Sequence, residues 1–224
     1  EGLNRWDFNF TRDLETLFFA TGDGSGEAAN RRIMMRRWQS SGWQDGTWQA
    51  GKWMPPEPAP FSETAASEGT PVVSYDGEWV YFSSDRHKTN EPANTQRDLY
   101  RASLRSGWKD VERVTDTPLY GEVTVSLSDD GGGVMWTGRR LDGSRQMGLY
   151  EVQLSDAESE PQLTVTGDLN DLHTGDPSGE NYAVIARDGQ SVIFANYGIE
   201  GAPGEEDLFR VRRQGDGWTE PELL

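Results

Sequence analysis

The chain has 224 residues, of which 38 are acidic and 21 are Lys or Arg, so its formal net charge is −17. A field of this sign repels phosphate backbones and anionic lipid headgroups, which excludes nucleic acid and anionic membrane surfaces as partners. Aromatic residues make up 11% of the chain, more than disordered segments carry, and the absence of cysteine removes disulfides, thiolate zinc sites and Cys nucleophiles. No apolar run predicts membrane insertion, and Glu1 in place of Met indicates a processed chain or part of a longer one.

An Asp-centred turn between two strands recurs four times along the chain. The first copy, DFNFTRDLETLFFAT, has Asp13 at the turn, and the second, TPVVSYDGEWVYFSS, has Asp76. TVSLSDDGGGVMWTG places Asp130 at the turn and Trp136 at the aromatic position, and YAVIARDGQSVIFAN places Asp188 at the last turn. The turns are 63, 54 and 58 residues apart, so we expect one domain of four repeats, at about 1–62, 63–117, 118–166 and 167–224.

Each repeat predicts four strands and no helix. β-Branched and aromatic runs flank the Asp-Gly dipeptide, which is a strong hairpin signal. A third run follows, as in RDLYR at 97–101, and Gly-Trp announces a fourth, as at Gly217-Trp218. Residues 38–53 of the first repeat read as an insertion. Four-stranded units repeated around an axis predict an all-β fold, a β-propeller of four blades of roughly 56 residues each.

The motifs of the second repeat resemble a known family. The combination SYDGEWVYFSSDR followed by RDLYRASLRSGW is similar to the TolB-type, WD40-like propeller repeat of bacterial exported proteins. Repeat 4 matches it well, whereas repeats 1 and 3 depart from it. The resemblance covers essentially the whole chain and implies a periplasmic or extracellular location, but the same blade serves scaffolds, enzymes and peptidase gates.

The number of blades leaves three arrangements open. Four blades lie at the bottom of the range of about 4–8 for propellers, and the family usually has six or seven. The chain is therefore a closed four-bladed ring, a fragment of a larger ring, or one of two chains that complete a ring. Exposed strand edges of an open arc invite aggregation, which favours closure.

Three carboxylates are predicted at the channel mouth, each eight residues before a turn Asp: Glu68, Glu122 and Glu180. They are candidate binding residues, and carboxylate oxygens suit Ca²⁺. Arg86 and Arg140 stand ten residues after the turn Asp, so structural Glu–Arg ion pairs within a blade are the alternative. Repeat 4 has Gly198 there, which makes Glu180 the candidate metal ligand. No cofactor is expected, and Ca²⁺ in the channel is the exception left open.

Aromatic residues and histidines provide the remaining candidates. Trp residues recur every five positions through the insertion, and Trp43 and Trp48 are the candidate binding residues of a sugar-stacking or protein-docking strip. The alternative is that one or two of these residues are the fourth-strand Trp of the blade. His87 and His173, in predicted loops, are too few for a three-His metal site, and no G-x-S-x-G elbow is present.

The sequence favours a non-catalytic binding or scaffold module of an exported bacterial protein, which engages a protein or glycan through its loop face or channel. One alternative is a carbohydrate-active hydrolase or lyase that uses the channel-mouth carboxylates. Another is a gate or adaptor domain cut from a larger hydrolase. Oligomeric state is left open.

Overall fold

The computed structural model describes residues 4–22, 31–86, 96–115, 119–120, 123–137, 148–155, 161–169, 180–197 and 206–224 of the chain. Within these ranges the regular structure is almost entirely β-strand, and the one helical element is the 3-10 turn Leu104–Ser106. No helix of this part of the chain is long and apolar enough to cross a membrane.

Four antiparallel sheets follow one another along the chain as the blades of a β-propeller, which confirms the predicted fold class. Blade 1 contains β1 (Asn4–Phe10), β2 (Thr16–Gly22), β3 (Arg32–Gln39), β6 (Lys52–Trp53) and β7 (Glu57–Pro58), and a separate hairpin contains β4 (Gly42–Gln44) and β5 (Thr47–Gln49). Blade 2 contains β8 (Glu68–Val73), β9 (Trp79–Ser84), β10 (Gln96–Ser103), β11 (Val111–Arg113) and β12 (Leu119–Tyr120). Blade 3 contains β13 (Val123–Leu127), β14 (Gly132–Thr137), β15 (Gly148–Ser155) and β16 (Gln162–Asp168). Blade 4 contains β17 (Glu180–Ile185), β18 (Ser191–Tyr197), β19 (Glu206–Gln214), β20 (Gly217–Trp218) and β21 (Glu222–Leu223).

The predicted Asp-centred turns join the first two strands of every blade. In blade 2, Asp76 Oδ1 accepts hydrogen bonds from Ser74 Oγ at 2.5 Å and from the Glu78 N–H at 2.8 Å. Gly77 follows with a φ of +75°, a left-handed conformation that favours glycine. Blade 1 has Leu14 at this position with a φ of +60°, so the first repeat makes the same turn without glycine.

Three buried apolar clusters join the blades in sequence. One lies between blades 1 and 2 around Phe18 and Phe82, one between blades 2 and 3 around Tyr81 and Met135, and one between blades 3 and 4 around Phe194. Each blade therefore has a preceding-blade face and a next-blade face, which we define by the neighbour that each contacts. Because successive strand residues point to opposite faces, adjacent residues such as Tyr81 and Phe82 belong to different interfaces.

The structure of blade 3 shows that Trp136 was wrongly aligned with Phe82 and Phe194 in the sequence repeats. Phe82 is paired with Tyr100 and Phe194 with Phe209 across the second and third strands of their blades. In blade 3 the residue paired with Tyr150 is Met135, not Trp136. The reason is a turn that is one residue shorter, since the Ser128 N–H bonds Gly132 O whereas the Ser74 N–H bonds Trp79 O. Trp136 consequently points toward blade 4.

Three inner strands share a bulge that the sequence analysis did not predict. The strand register shifts between Trp6 and Asn9, between Gly69 and Val72, and between Asn181 and Val184. At each bulge a residue other than glycine has positive φ: Asp7 (+56°), Thr70 (+50°) and Tyr182 (+46°). Bulges of this kind redirect side chains and are frequent beside binding sites.

Some apolar side chains of the first and last blades are exposed, although Phe19 of blade 1 is only 2% exposed. On the next-blade face, Phe18, Tyr81 and Val134 are at most 3% exposed, whereas Ile193 of blade 4 is 41% exposed. The same contrast appears on the third strands, where Leu208 is 53% exposed. The residues at the equivalent positions of the other blades are fully buried: Ile33, Leu99 and Leu149. At the other end, Phe8 and Phe10 of blade 1 are 57% and 44% exposed.

Candidate functional site

The insertion of the first repeat is a β-hairpin that extends beyond blade 1. Trp38 of β3 is paired with Trp53 of β6, and Trp43 of β4 is paired with Trp48 of β5. The turn consists of Asp45 and Gly46, with φ values of +48° and +74°. Positive φ at both central residues is characteristic of type I′ turns, for which Asp-Gly is a preferred dipeptide.

The five-residue Trp spacing follows from the symmetry of this hairpin. Trp43 and Trp48 lie at equal distances along the chain from the Asp45-Gly46 turn, and so do Trp38 and Trp53. Each pair has T-shaped ring packing, with centroids 5.5 Å apart for Trp38 and Trp53 and 5.9 Å apart for Trp43 and Trp48. Cross-strand aromatic pairs stabilise isolated hairpins, so these contacts compensate for the sparse packing around the extension.

The two Trp pairs have different environments. Trp53 lies opposite Trp38 at the place where blade 4 has Trp218 opposite Arg213, so Trp53 occupies the fourth-strand position. Trp43 and Trp48 belong to the extension alone and are 74% and 56% exposed. Two indole rings held at this exposure, with their backbone fixed by a tight turn, form an apolar surface with N–H groups available to hydrogen-bond a ligand.

The channel-mouth carboxylate of blade 2 is fully buried and paired with an arginine. Glu68 Oε1 lies 2.5 Å from Arg86 Nη2 and accepts the Glu63 N–H at 3.1 Å, while Oε2 accepts the Ser62 hydroxyl at 2.5 Å. Burial raises the pKa of Glu68, and the Ser62 hydroxyl and the Arg86 charge act against that rise. Glu68 and Arg86 thus form the ion pair of the structural alternative, and a ligand-binding role for them stays a prediction.

Arg86 is held from several sides. Its Nη2 also donates to Phe61 O at 2.8 Å, and its Nε donates to Ser84 Oγ at 3.2 Å. The guanidinium lies over the rings of Phe82 and Tyr100, at 4.9 Å and 5.0 Å from their centroids. Arg86 is thus in contact with a carboxylate, two further oxygen acceptors and two aromatic rings at the boundary between blades 1 and 2.

The other predicted channel residues are described only in part. Glu122, Arg140, His87 and His173 lie outside the described residues. Glu180 begins β17 opposite Asn196, as Glu68 begins β8 opposite Ser84, and its side chain is not among the described atoms. Within the described part of the chain no three acidic or His side chains are grouped so that they could hold a metal ion. Calcium at Glu180 stays a prediction.

A second charged cluster, at the bulge of β1, was missed by the sequence analysis. Burial lowers the pKa of Arg97 to about 10, and the guanidinium donates to Ser67 Oγ at 2.7 Å. Asp7 has a pKa raised by burial, against the opposing effects of the Thr70 N–H and the charges of Arg31 and Arg97. The only sequence signal for this cluster is the Arg that precedes the third-strand Asp of repeat 2. The bulge that contains Asp7 has no glycine that would mark it in the sequence.

All four inner strands line one central cavity of about 330 Å³. Its walls are mostly apolar and include Val72, Val125 and Val184, with Asn9 and Arg12 contributed by blade 1. Asn9 Oδ1 accepts the Val73 N–H at 3.1 Å, which links the inner strands of blades 1 and 2. The cavity is therefore part of the propeller axis and is large enough for a small ligand.

Comparison with known proteins finds similarity to several solved structures. No family model and no curated protein sequence matches the chain. The acylaminoacyl peptidase of Pyrococcus horikoshii is similar in structure, with 11% identity and a TM-score of 0.46 over 100% of this chain and 32% of the peptidase. A putative TolB from Agrobacterium tumefaciens has 16% identity and a TM-score of 0.35 over 75% of this chain and 68% of its own. The chain spans about a third of the length of the peptidase. Both TM-scores are below 0.5, so neither similarity indicates a function for this chain.

Proposed function

We propose that this chain is a non-catalytic β-propeller module of an exported bacterial protein, and that it binds a protein or glycan partner through the aromatic hairpin at residues 42–49. The exposed Trp43–Trp48 pair is the observation that supports the proposal. The periplasmic or extracellular location rests on the resemblance of the second repeat to the TolB-type repeat and stays part of the proposal.

The hairpin has features expected of a binding element. The hairpin adds no residue to the apolar clusters between the described blades, so these clusters do not depend on it. A ligand that stacks on Trp43 or Trp48 replaces water around two indole rings, and aromatic residues contribute disproportionately to binding energy. The chain charge of −17 favours a neutral or cationic ligand over an acidic one.

A non-catalytic role is supported by the state of Glu68. A glycoside hydrolase requires two carboxyls separated by about 5–5.5 Å or 6.5–9.5 Å on either side of an accessible substrate. Glu68 has no exposed surface and is engaged by Ser62, Glu63 and Arg86. It is therefore unsuited to attack a sugar or protonate it, which favours binding over hydrolysis.

The double variant Trp43→Ala/Trp48→Ala tests the proposal. We expect titration with neutral cello- and chito-oligosaccharides and with basic peptides to change the Trp fluorescence of the wild-type chain for at least one ligand class, and the double variant to lose that affinity by tenfold or more. Because both side chains are exposed, the melting temperature should change little. Leu104→Ala is the matched control, an exposed apolar residue of blade 2. Equal affinity of the double variant and the wild-type chain would contradict the hairpin assignment.

A further inference from the structure

The central cavity on the propeller axis has an apolar wall that remains in contact with solvent. Phe10 of blade 1 and Val184 of blade 4 are 44% and 53% exposed, and both line the cavity. Val72 of blade 2 and Val125 of blade 3 add apolar surface from the other two inner strands. Removal of such surface from water by a bound ligand is favourable, and a volume of about 330 Å³ is within the range of small-molecule sites.

The cavity wall is held in shape by hydrogen bonds between blades. Tyr75 Oη of blade 2 donates to Ile185 O of blade 4 at 2.6 Å, and the Ile185 N–H donates to Ser126 Oγ of blade 3 at 3.2 Å. Tyr75 and Ser126 both line the cavity. A ligand therefore enters a preorganised site, in which little conformational freedom is lost on binding. The Tyr75 hydroxyl proton is already used on a backbone carbonyl, so Tyr75 is not the donor available to a ligand.

Blade 1 supplies hydrogen-bond donors that have no partner among the described residues. The Val73 N–H donates to Asn9 Oδ1, which fixes the orientation of the amide and leaves the two hydrogens of Asn9 Nδ2 unused. Arg12, two residues after the end of β1, also lines the cavity. Within the part of the chain that the structure describes, the Arg12 guanidinium has neither an ion pair nor a hydrogen bond. The amide nitrogen and the guanidinium are both donors only, so they fit an acceptor-rich group of a ligand.

The charge of the cavity differs from the charge of the whole chain. Arg12 is the one charged side chain among the described residues that line the cavity. Asp129, whose charge acts on Tyr75, is paired with Arg187 at 2.7 Å. The net charge of −17 acts mostly over longer distances, and salt screens it beyond about 8 Å. The local field therefore favours an anionic group beside Arg12, in contrast to the ligand preference of the Trp hairpin.

We propose that this cavity is a second binding site and that its ligand is a small monocarboxylate with an apolar chain or ring. The carboxylate oxygens accept hydrogen bonds from Asn9 Nδ2 and pair with the Arg12 guanidinium, which is suited to planar carboxylate groups. The apolar part of the ligand packs on Phe10, Val72 and Val184. A ligand of about a dozen non-hydrogen atoms fits the volume. None of the described lining residues belongs to the Trp hairpin, so the proposal is independent of the proposed function.

Titration calorimetry with 4-phenylbutyrate and its neutral amide, 4-phenylbutyramide, tests the preference for a carboxylate. The two probes have the same size and the same apolar part, and only the acid is charged at neutral pH. We expect the wild-type chain to bind 4-phenylbutyrate with a dissociation constant below about 1 mM, and the amide about tenfold more weakly. Absence of saturable binding of the acid up to about 10 mM, or equal affinities for the two probes, would overturn the proposal.

The variant Arg12→Gln tests the assigned cation. We expect it to weaken the binding of 4-phenylbutyrate by about fivefold or more and to remove the preference for the acid over the amide. Arg37→Gln is the matched control, since Arg37 is an exposed arginine of the same blade that does not line the cavity, and it should leave the affinity unchanged. Both side chains are exposed, so both variants should fold, which circular dichroism checks. Wild-type affinity of Arg12→Gln would contradict the assignment.

Two further variants distinguish the cavity from the Trp hairpin. Asn9→Asp retains an oxygen that accepts the Val73 N–H but replaces the Nδ2 donor with an acceptor, so the affinity for 4-phenylbutyrate should fall by about tenfold or more. Trp43→Ala/Trp48→Ala should bind the acid with wild-type affinity. If the double Trp variant loses this binding and Asn9→Asp does not, the acid binds at the hairpin and the cavity assignment is wrong.

Discussion

Asp130 and its counterparts show how one side chain specifies a turn in every blade. Asp130 Oδ1 accepts the Ser128 hydroxyl at 2.7 Å and the Gly132 N–H at 3.1 Å, and Asp13 makes the same two kinds of bond with Thr11 and Glu15. These bonds satisfy polar groups that the strands leave free at the hairpin end. In blade 4 the residue at the hydroxyl position is Ala186, so the turn there relies on fewer side-chain contacts.

Removal of the turn carboxylate should destabilise blade 3 more than blade 4. Asp130→Ala removes two hydrogen bonds, with an expected loss of about 1–2 kcal/mol in the free energy of unfolding. Asp188→Ala is the matched control, because the one described hydrogen bond to its carboxylate is from the Gln190 N–H at 3.0 Å. Urea unfolding at neutral pH measures both losses, and equal losses would contradict the role of the Ser128 hydroxyl.

The pH dependence of this turn has a defined sign. The Ser128 hydroxyl and then the Gly132 N–H hold the pKa of Asp130 below its ordinary value of 3.8. The ionised carboxylate therefore stabilises the folded chain at pH values above 3.8, and that contribution is lost as pH falls through the lower folded-state pKa. We expect the stability difference between wild type and Asp130→Asn to shrink below that pH in unfolding measurements. A difference that is constant over the acidic range would refute this assignment.

Individual residues also mark the limit of prediction from sequence. Phe82 and Phe194 were correctly aligned because their turns have equal length, whereas Trp136 was misplaced because the shorter turn of blade 3 shifts its register by one residue. A one-residue shift reverses the side to which a strand residue points. The bulges at Asp7, Thr70 and Tyr182 were not predictable, since none has the glycine that usually marks positive φ.

At the scale of elements, the Trp hairpin is an addition to a blade that is complete without it. The third and fourth strands of blade 4 are joined by Gly215 and Asp216 alone, between Gln214 and Gly217. The equivalent positions of blade 1, Gln39 and Lys52, are paired in the same way. The repeat pattern predicted an insertion at residues 38–53, whereas Trp38 and Trp53 belong to the third and fourth strands of the blade. The symmetry of the Trp pairs about the turn became visible only with the strand register.

Excision of residues 40–51, with Gln39 joined to Lys52 through Gly-Asp, should therefore leave the propeller folded. The variant retains the Trp38–Trp53 pair and all three apolar clusters, and a shorter loop costs less closure entropy. We expect a change of less than about 1 kcal/mol in the free energy of unfolding. Chemical denaturation followed by circular dichroism measures it. Loss of cooperative unfolding would mean that the hairpin supports the blade.

At the scale of the whole molecule, apolar clusters join consecutive blades, and Tyr75 Oη donates to Ile185 O at 2.6 Å between blades 2 and 4. Each apolar cluster connects two consecutive blades, so a residue's contribution depends on whether a blade follows its own. Leu149 and Leu208 occupy the same position on β15 and β19, but Leu149 is fully buried and Leu208 is 53% exposed. Sequence alone aligned these two residues and could not distinguish their environments.

This pair gives a matched test of the architecture. Leu149→Ala should lower the free energy of unfolding by about 2–5 kcal/mol, as large-to-small substitutions in cores do. Leu208→Ala should change it by less than about 0.5 kcal/mol, since Leu208 is 53% exposed. Thermal and urea unfolding give both values. A large effect of Leu208→Ala would contradict this interpretation, because it would show that Leu208 is packed in solution.

The two T-shaped Trp pairs also provide an optical signal that reports on the hairpin. Because the indole rings are 5.5 Å and 5.9 Å apart in T-shaped contacts, we expect their electronic transitions to couple and to give a paired positive and negative band in far-ultraviolet circular dichroism. That signal depends on the mutual orientation of the rings and disappears when the hairpin opens, while the backbone signal of the blades remains. Local opening of the hairpin can thus be followed separately from unfolding of the propeller, without any added label.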